Sequence, residues 1–164
     1  MNNVYQVLDR ITAHLRDEEM NKSVTFGDIR EVDLQKRTIF PLTHMTINSA
    51  TLQGNDLNQV AFNIDIVCCD VVDESKGNPR DELILTPELR RIDNLEDVLN
   101  TTLMILNRLA TELNRGDLYQ DLYQLDGAPI LVPFKESYGN NLAGWVMTID
   151  ILTANTDVVP DRCL

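Results

Sequence analysis

The sequence predicts an α+β fold in which a mostly antiparallel sheet of about four strands is packed by one long helix. Residues 59–72 alternate apolar and polar residues as a strand with one face in a core does, and 144–153 is a strand whose two faces are both partly apolar, as expected between the helix and a second surface. Residues 95–114 instead repeat apolar residues at steps of three and four, which indicates an amphipathic helix. A second amphipathic helix is predicted at the N-terminus, over residues 3–19.

The N-terminal helix is predicted from Val4, Leu8, Ile11 and Leu15, which follow one another at steps of four, three and four. This apolar stripe is narrow. It can therefore pack on a sheet or against a neighbouring subunit, and the pattern does not choose between them. Residues 23–34 have a mixed pattern, which predicts a broken strand pair or a mobile loop.

A β-hairpin is predicted next. Residues 38–52 are rich in β-forming types, and Pro41 is compatible with a strand start or an edge. The turn residues at 54–56, Gly-Asn-Asp, separate this stretch from the alternating stretch 59–72. A short polar turn between two strands favours antiparallel pairing.

A long charged loop is predicted over residues 73–93, with a brief strand at 83–85. Loops of this length inside a compact domain are usually functional or become ordered on a partner.

The long helix follows this loop. Asn94 is placed to cap the helix, acidic residues in its first turn suit the positive end of the helix dipole, and Gly116 marks its end.

The remaining elements complete the sheet. Residues 117–125 fit a short helix or an extended connector, and 130–134 fit a strand near an edge because it contains Pro133. A hairpin loop at 138–141 leads to the final strand. Residues 154–164 are predicted to be an ordered or docking extension.

Length and charge limit the classes of function. A chain of 164 residues fits one domain, 1–164, and the absence of a run of about 18–20 apolar residues argues against a membrane span. No basic region precedes an apolar run at the N-terminus, so we expect a soluble, intracellular protein.

The 26 acidic residues outnumber the 14 basic ones, for a net charge of -12. A tight grip on nucleic acid is therefore not expected, because phosphate binding needs clustered Lys and Arg.

The cysteines do not form a motif. Cys68 and Cys69 are adjacent on a predicted strand, so their side chains point to opposite faces and are not expected to chelate one metal ion. We expect reduced, buried or half-buried thiols. A redox or metal site would need Cys163 and either His44 or His14 to converge from distant positions, and no spacing supports that.

No catalytic, cofactor-binding or metal-binding residue is predicted, and no cofactor is expected. His14 lies on a helix flank, and His44 is predicted to be a hydrogen-bonded or half-exposed strand residue rather than a base or ligand. Asp65, Asp70 and Asp150 lie on predicted strands, where a pair of carboxylates could meet across the sheet. The favoured interpretation is a solvated sheet face, because an acidic protein places acids at most exposed positions. A nucleophile motif and a Gly-rich phosphate loop are also missing.

Four stretches follow one another along the chain: FPLTHMTINSATLQ (Phe40–Gln53), VAFNIDIVCCDVVDES (Val60–Ser75), NLEDVLNTTLMILNRLATELN (Asn94–Asn114) and GWVMTIDILTAN (Gly144–Asn155). In this order they resemble the tail terminator or tail completion proteins of tailed bacteriophages. The resemblance covers about residues 40–155 and the amphipathic helix before them. It consists of an element order and a type of sequence, with no catalytic signature.

The resemblance implies a structural virion protein rather than an enzyme. Such subunits assemble into a ring, commonly a hexamer, that caps the tail tube, joins it to the head–tail connector and leaves a channel through which DNA passes without tight binding. The expected location is the neck or tail of the virion, and the host cytoplasm during assembly, with no membrane partner. The insertion at 73–93 is longer than the family pattern. Under this interpretation the acidic surplus either repels DNA in the channel or keeps the free subunit soluble.

Alternatives remain open at this stage. They are another ring or adaptor protein of the phage tail or connector, and a non-viral module that binds a peptide at an exposed sheet edge. An enzyme with an unrecognised carboxylate site is disfavoured.

Overall fold

Six strands form one sheet, and two helices pack on one of its faces. The computed structural model describes residues 4–33, 39–73, 94–136 and 141–155. The helices are α1 (Val4–Asp17), α2 (Leu95–Arg115) and the one-turn α3 (Asp117–Gln120). The strands are β1 (Ser23–Phe26), β2 (Leu42–Gln53), β3 (Gln59–Val71), β4 (Gln124–Leu125), β5 (Ile130–Glu136) and β6 (Leu142–Ala154).

The strand order is β1-β2-β3-β6, and both β4 and β5 pair with the far side of β6. All pairs are antiparallel except β1 with β2, which is parallel. The predicted α+β class and mostly antiparallel sheet are therefore confirmed, whereas the count of about four strands is wrong. The two extra strands, β1 and β4, have four and two residues, which is too short for a period of two to be visible.

The long helix forms where its pattern predicts, and its ends follow from local hydrogen bonding. Asn94 caps it, because its side-chain oxygen accepts a hydrogen bond of 2.9 Å from the backbone N–H of Asp97. The helix ends at Arg115, and the N–H of Gly116 closes the last turn by donating to the carbonyl of Glu112 at 3.0 Å. A Cβ at position 116 would lie 2.8 Å from the Cα of Glu112, so a side chain there would crowd the helix end.

The main core lies between the sheet and the two long helices. Alternate residues of β3 and β6 point into this core, as the period of two predicts, and the apolar stripe of α2 covers them. The buried apolar residues of this core include Leu8, Ile11 and Leu15 of α1, Met45 of β2, Phe62, Ile64 and Ile66 of β3, Ile105, Leu106 and Leu109 of α2, and Met147, Ile149 and Ile151 of β6.

A smaller apolar cluster lies on the other side of the sheet. Phe40, Leu42, Cys69 and Leu142 are buried there, and the residues packed against them include Val32 and Ile39. A 3-10 turn at Ile29–Glu31 precedes Val32. The region predicted as a broken strand pair or a loop is thus one short strand followed by a turn. No helix of the described residues packs on this second face, which we call the helix-free face.

Several predictions fall outside the described residues. They concern residues 74–93 of the predicted loop with its brief strand, most of the hairpin loop at 138–141, and residues 156–164 of the C-terminal extension. The region 117–125, for which two alternatives were open, contains both: a helical turn and then a two-residue strand.

Candidate interaction surfaces

The helix-free face of the sheet carries a ladder of polar side chains in its centre. The amide of Asn48 donates to the side-chain oxygen of Asn63 at 3.0 Å, and the amide of Asn63 donates to Asp150 at 2.8 Å. Alongside them, the hydroxyl of Thr148 donates to Asp65 at 2.7 Å. Because each carboxylate accepts a hydrogen bond from a neutral donor, these groups form a fixed acidic surface.

The three predicted strand carboxylates do not come together as one cluster. Asp65 and Asp150 are half-buried diagonal neighbours on the helix-free face of β3 and β6. Asp70 has the opposite parity on β3, so it belongs to the other face, and its carboxylate accepts from the N–H of Val71 at 2.7 Å. The prediction of a polar, solvent-facing surface therefore fits Asp65 and Asp150, which are half-buried rather than fully solvated.

His44 is a structural residue of the sheet. Its side chain is buried and only 1% exposed. Its Nε2–H donates to the carbonyl of Gly27 at 3.0 Å, and its Nδ1 accepts from the hydroxyl of Thr25 at 2.7 Å. Burial is the main reason that the pKa of His44 lies below its usual value. The ring is therefore a neutral clamp between β1 and β2, as the prediction of a hydrogen-bonded strand residue requires, while His14 lies half-buried on α1.

The adjacent cysteines lie on opposite faces of the sheet, as predicted. Cys68 is buried in the main core, 3.5 Å from the hydroxyl of Thr43, and Cys69 is buried in the smaller cluster. Burial raises the pKa of each thiol to about 12. Both thiols are therefore protonated at neutral pH and unreactive. Cys163 lies outside the described residues.

The part of the chain that the structure describes has neither a metal-binding cluster nor a membrane-spanning helix. Over residues 4–33, 39–73, 94–136 and 141–155 there is no group of three or more His, Cys, Asp or Glu side chains that could hold a metal ion. Among the helices of the same ranges, none is both long and apolar enough to cross a membrane.

One edge of the sheet carries an exposed apolar surface, which we call the β5-side surface. It consists of Ile130 and Val132 on β5, which are 66% and 57% exposed. They pair with Thr148 and Val146 of β6, so their side chains lie on the helix-free face of the sheet. Pro133 of β5 has no N–H to offer to a further strand, and an edge strand tolerates proline where its nitrogen faces away from the sheet. This edge is thus suited to contacts through side chains rather than through backbone pairing.

The opposite edge carries a different surface, which we call the β1-side surface. Phe26 of β1 is 56% exposed, and Tyr5 of α1 is 70% exposed. Tyr5 lies three helical turns from Arg16, on the same face of α1. Beside them a groove of about 380 Å³ follows the free edge of β1; it is lined by Arg16, Lys22, Ser23, Val24, Thr25, Val32, Asp33 and Ile39.

Sequence reasoning missed these two surfaces. Residues 130–132 are Ile-Leu-Val, a continuous apolar run, so no alternation marks Ile130 and Val132 as exposed and Leu131 as packed on the core. The position of Pro133 was the one available signal, and the prediction that its strand lies at an edge is confirmed.

Comparison with known proteins adds no assignment. No protein-family model matches the chain, and no curated protein matches its sequence.

Proposed function

We propose that this chain is a structural ring subunit of the neck or tail of a tailed bacteriophage, with a tail terminator or tail completion role. The observation that carries the proposal is the presence of two unlike apolar surfaces at opposite edges of one sheet. A head-to-tail contact between unlike surfaces generates rings when its rotation closes, whereas a two-fold dimer needs only one self-complementary surface. The ring is assigned to the neck or tail of the virion because the four stretches resemble tail terminator and tail completion proteins.

The β5-side and β1-side surfaces suit each other chemically. The first offers branched aliphatic side chains at Ile130 and Val132, and the second offers the aromatic rings of Phe26 and Tyr5. Aromatic residues are enriched at protein interfaces because they bury much area with few rotatable bonds.

The polar ladder fits a channel that DNA passes without being held. Asp65 and Asp150 present carboxylates on the helix-free face, and the whole chain has a net charge of -12. Such a surface repels phosphate and releases no counterions to it. We therefore expect rings that leave duplex DNA unbound at physiological ionic strength, which fluorescence anisotropy measures directly.

The test is assembly of the purified chain, alone and mixed with phage tail tubes. Light scattering after size separation should give a ring-sized species, and negative-stain images should show rotational symmetry and a central channel. Ile130→Asp should abolish the ring. Leu52→Asp is the matched control, because Leu52 is 54% exposed at the far end of the β2–β3 hairpin. A chain that stays monomeric at every soluble concentration, with and without tubes, would refute the proposal, as would a ring that tolerates Ile130→Asp.

A second candidate function is a module that binds an extended peptide at the edge of β1. The observation that favours it is the groove along that edge, with Arg16, Lys22 and the β1 residues Ser23, Val24 and Thr25 among those that line it. Peptides that add a strand to a sheet gain affinity from main-chain hydrogen bonds and specificity from side-chain pockets. A stable monomer that binds short acidic peptides, and loses them on Lys22→Glu, would favour this module over the ring.

A further inference from the structure

Strand β1 is held to the rest of the sheet by few contacts. It has four residues, and β2 is its one strand partner among the described strands. Of its apolar side chains, Val24 packs against the main core, whereas Phe26 is 56% exposed. A segment with few buried apolar contacts opens locally at a lower free energy than the whole fold unfolds. The attachment of β1 therefore depends on additional side-chain hydrogen bonds.

His44 of β2 supplies such hydrogen bonds. The clamp that it forms consists of the hydroxyl of Thr25, which donates to Nδ1, and the carbonyl of Gly27, which accepts from the Nε2–H. Thr25 lies within β1 and Gly27 directly follows the strand, so one imidazole holds the end of β1 at two points. The backbone N–H of Gly27 adds a hydrogen bond of 3.1 Å to the carbonyl of Met45.

The clamp fits the neutral imidazole and does not fit the protonated one. A protonated imidazole has an N–H donor on both ring nitrogens, so the hydroxyl of Thr25 can no longer donate to Nδ1 and has to turn and accept. The positive charge would also stay on a side chain that is 1% exposed, and burying a charge costs free energy unless the charge is paired. Protonation therefore favours an arrangement in which the ring of His44 reaches water.

The charged groups on the β1 side of the ring offset little of this cost. Neither β1 nor β2 has another titratable residue. In the turn after β1, Asp28 attracts a protonated His44, but its carboxylate already accepts from the Nε–H of Arg30 at 3.0 Å. The other carboxylates of that segment, Glu31 and Asp33, are exposed. Asp28 is thus the charged neighbour that matters, and it is shared with a guanidinium.

The groups on the β3 side of the ring offset little as well. Val67 lies opposite His44, and the carboxylate of β3 on the same face belongs to Asp65, which is a diagonal neighbour. That carboxylate accepts a hydrogen bond of 2.7 Å from the hydroxyl of Thr148 on the far side of β3. Burial is accordingly the largest influence on the ring, and it lowers the pKa of His44.

We propose that the His44 clamp makes the β1 edge of the sheet an acid-sensitive switch, in which protonation of the ring in a locally opened form releases β1 while β2, β3 and β6 stay paired. Release of β1 removes Phe26 from the β1-side surface and one wall of the groove that Ser23, Val24 and Thr25 line. A weaker contact between copies at low pH would follow, and this consequence alone rests on the proposed ring.

The size of the effect follows from proton linkage. A histidine in contact with water has a pKa of about 6.5, so an opened form gains a proton as the pH falls from 7.5 to 5.5, whereas the buried ring stays neutral. The ratio of opened to closed molecules then rises by up to about tenfold over this interval. The stabilisation by the clamp is complete above about pH 6.5 and is lost as the pH falls below it.

Hydrogen exchange followed by mass spectrometry measures the opening in the full-length chain, diluted so that copies do not associate. The readout is the protection of residues 23–27, corrected for the intrinsic effect of pH on exchange. Urea unfolding in the same buffers gives the protection that global unfolding alone would produce. His44→Gln removes the titrating ring, and His14→Gln is the matched control because it removes the other imidazole of the chain.

We expect the protection of residues 23–27 to fall about three- to tenfold between pH 7.5 and 5.5, and to stay below the protection set by global unfolding. The fall should disappear in His44→Gln and persist in His14→Gln. A wild-type chain without the fall would overturn the proposal, as would a fall that persists in His44→Gln. Protection equal to the global value would also overturn it, because β1 would then open only with the whole fold.

The wild-type measurements decide the proposal even where His44→Gln does not fold, since they compare local with global opening in one chain. The outcome is independent of ring formation, which the assembly test measures separately.

Discussion

The contrast between Ile66 and Ile130 tests the division of this molecule into a core and an assembly surface. The same side chain is 0% exposed at position 66, between Met45 and Met147 of the neighbouring strands, and 66% exposed at position 130. Replacing isoleucine with alanine removes three carbon groups. At about 0.8 kcal/mol each, the transfer term is about 2.4 kcal/mol for a fully buried side chain, and the residual cavity raises the cost to about 2–5 kcal/mol.

At position 130 only about a third of the side chain is buried, so Ile130→Ala should cost about 0.8 kcal/mol in the isolated subunit. The exposed two-thirds would be buried in a ring contact. Burial of a whole isoleucine side chain is worth about 1.5–3 kcal/mol, so each contact should lose about 1–2 kcal/mol, or about 5- to 30-fold in its association constant. The two substitutions should therefore affect different measurements.

Urea unfolding followed by tryptophan fluorescence provides the first measurement. Trp145 is the sole tryptophan, and its indole N–H donates to the carbonyl of Leu99 on α2 at 2.9 Å, so its emission reports on the packing of helix against sheet. Sedimentation of the assembled species provides the second. Equal losses of unfolding free energy for Ile66→Ala and Ile130→Ala would refute the division. An Ile130→Ala chain that assembles like the wild type would refute the role of the β5-side surface.

Three further predictions concern single sites. The pKa of His44 is lowered in the folded state, so protons bind more readily to the unfolded chain, and the free energy of unfolding should fall as the pH drops through about 6.5. Urea unfolding at pH 7.5 and at pH 5.5 measures this fall, which should be smaller in His44→Gln than in the wild type. Asn94→Ala should cost about 1 kcal/mol because it removes the cap on the N–H of Asp97, and Asn94→Asp should restore most of it in the same assay. Cys68 and Cys69 should resist a thiol reagent in the native protein and react fully in urea, whereas labelling of the native protein at either site would contradict their burial.

The long elements of this fold could be predicted from the sequence because each carries its own period. The stretch predicted as 59–72 is a strand over Gln59–Val71, and 95–114 is a helix over Leu95–Arg115. The parallel pairing of β1 could not be predicted, since four residues carry no period and their partner strand lies 19 residues further along the chain. That pairing is fixed by tertiary contacts such as the clamp that His44 makes with Thr25.

The candidate surfaces were less predictable than the fold for a physical reason. Whether an apolar strand residue is buried depends on how far the covering helices extend across the sheet, and a local pattern does not contain that distance. On β5 the two long helices cover only the side of Leu131, whereas Ile130 and Val132 pair with Thr148 and Val146 on the opposite face and stay exposed. The alternation along each strand indicates which face carries Asp65 and which carries Asp150. It does not indicate which side chains of the neighbouring strand donate hydrogen bonds to them.

Pro133 has a consequence for how errors in an assembly are corrected. Copies that meet through backbone pairing form a nearly irreversible bond, and a wrongly placed copy would then be trapped in a growing polymer. Because Pro133 withholds a donor from the β5 edge, a copy docked there in the proposed ring would rely more on side chains, and such a contact would dissociate faster. Misplaced copies of the proposed ring could then leave and dock again, so the correct arrangement would be selected by repeated trial before completion.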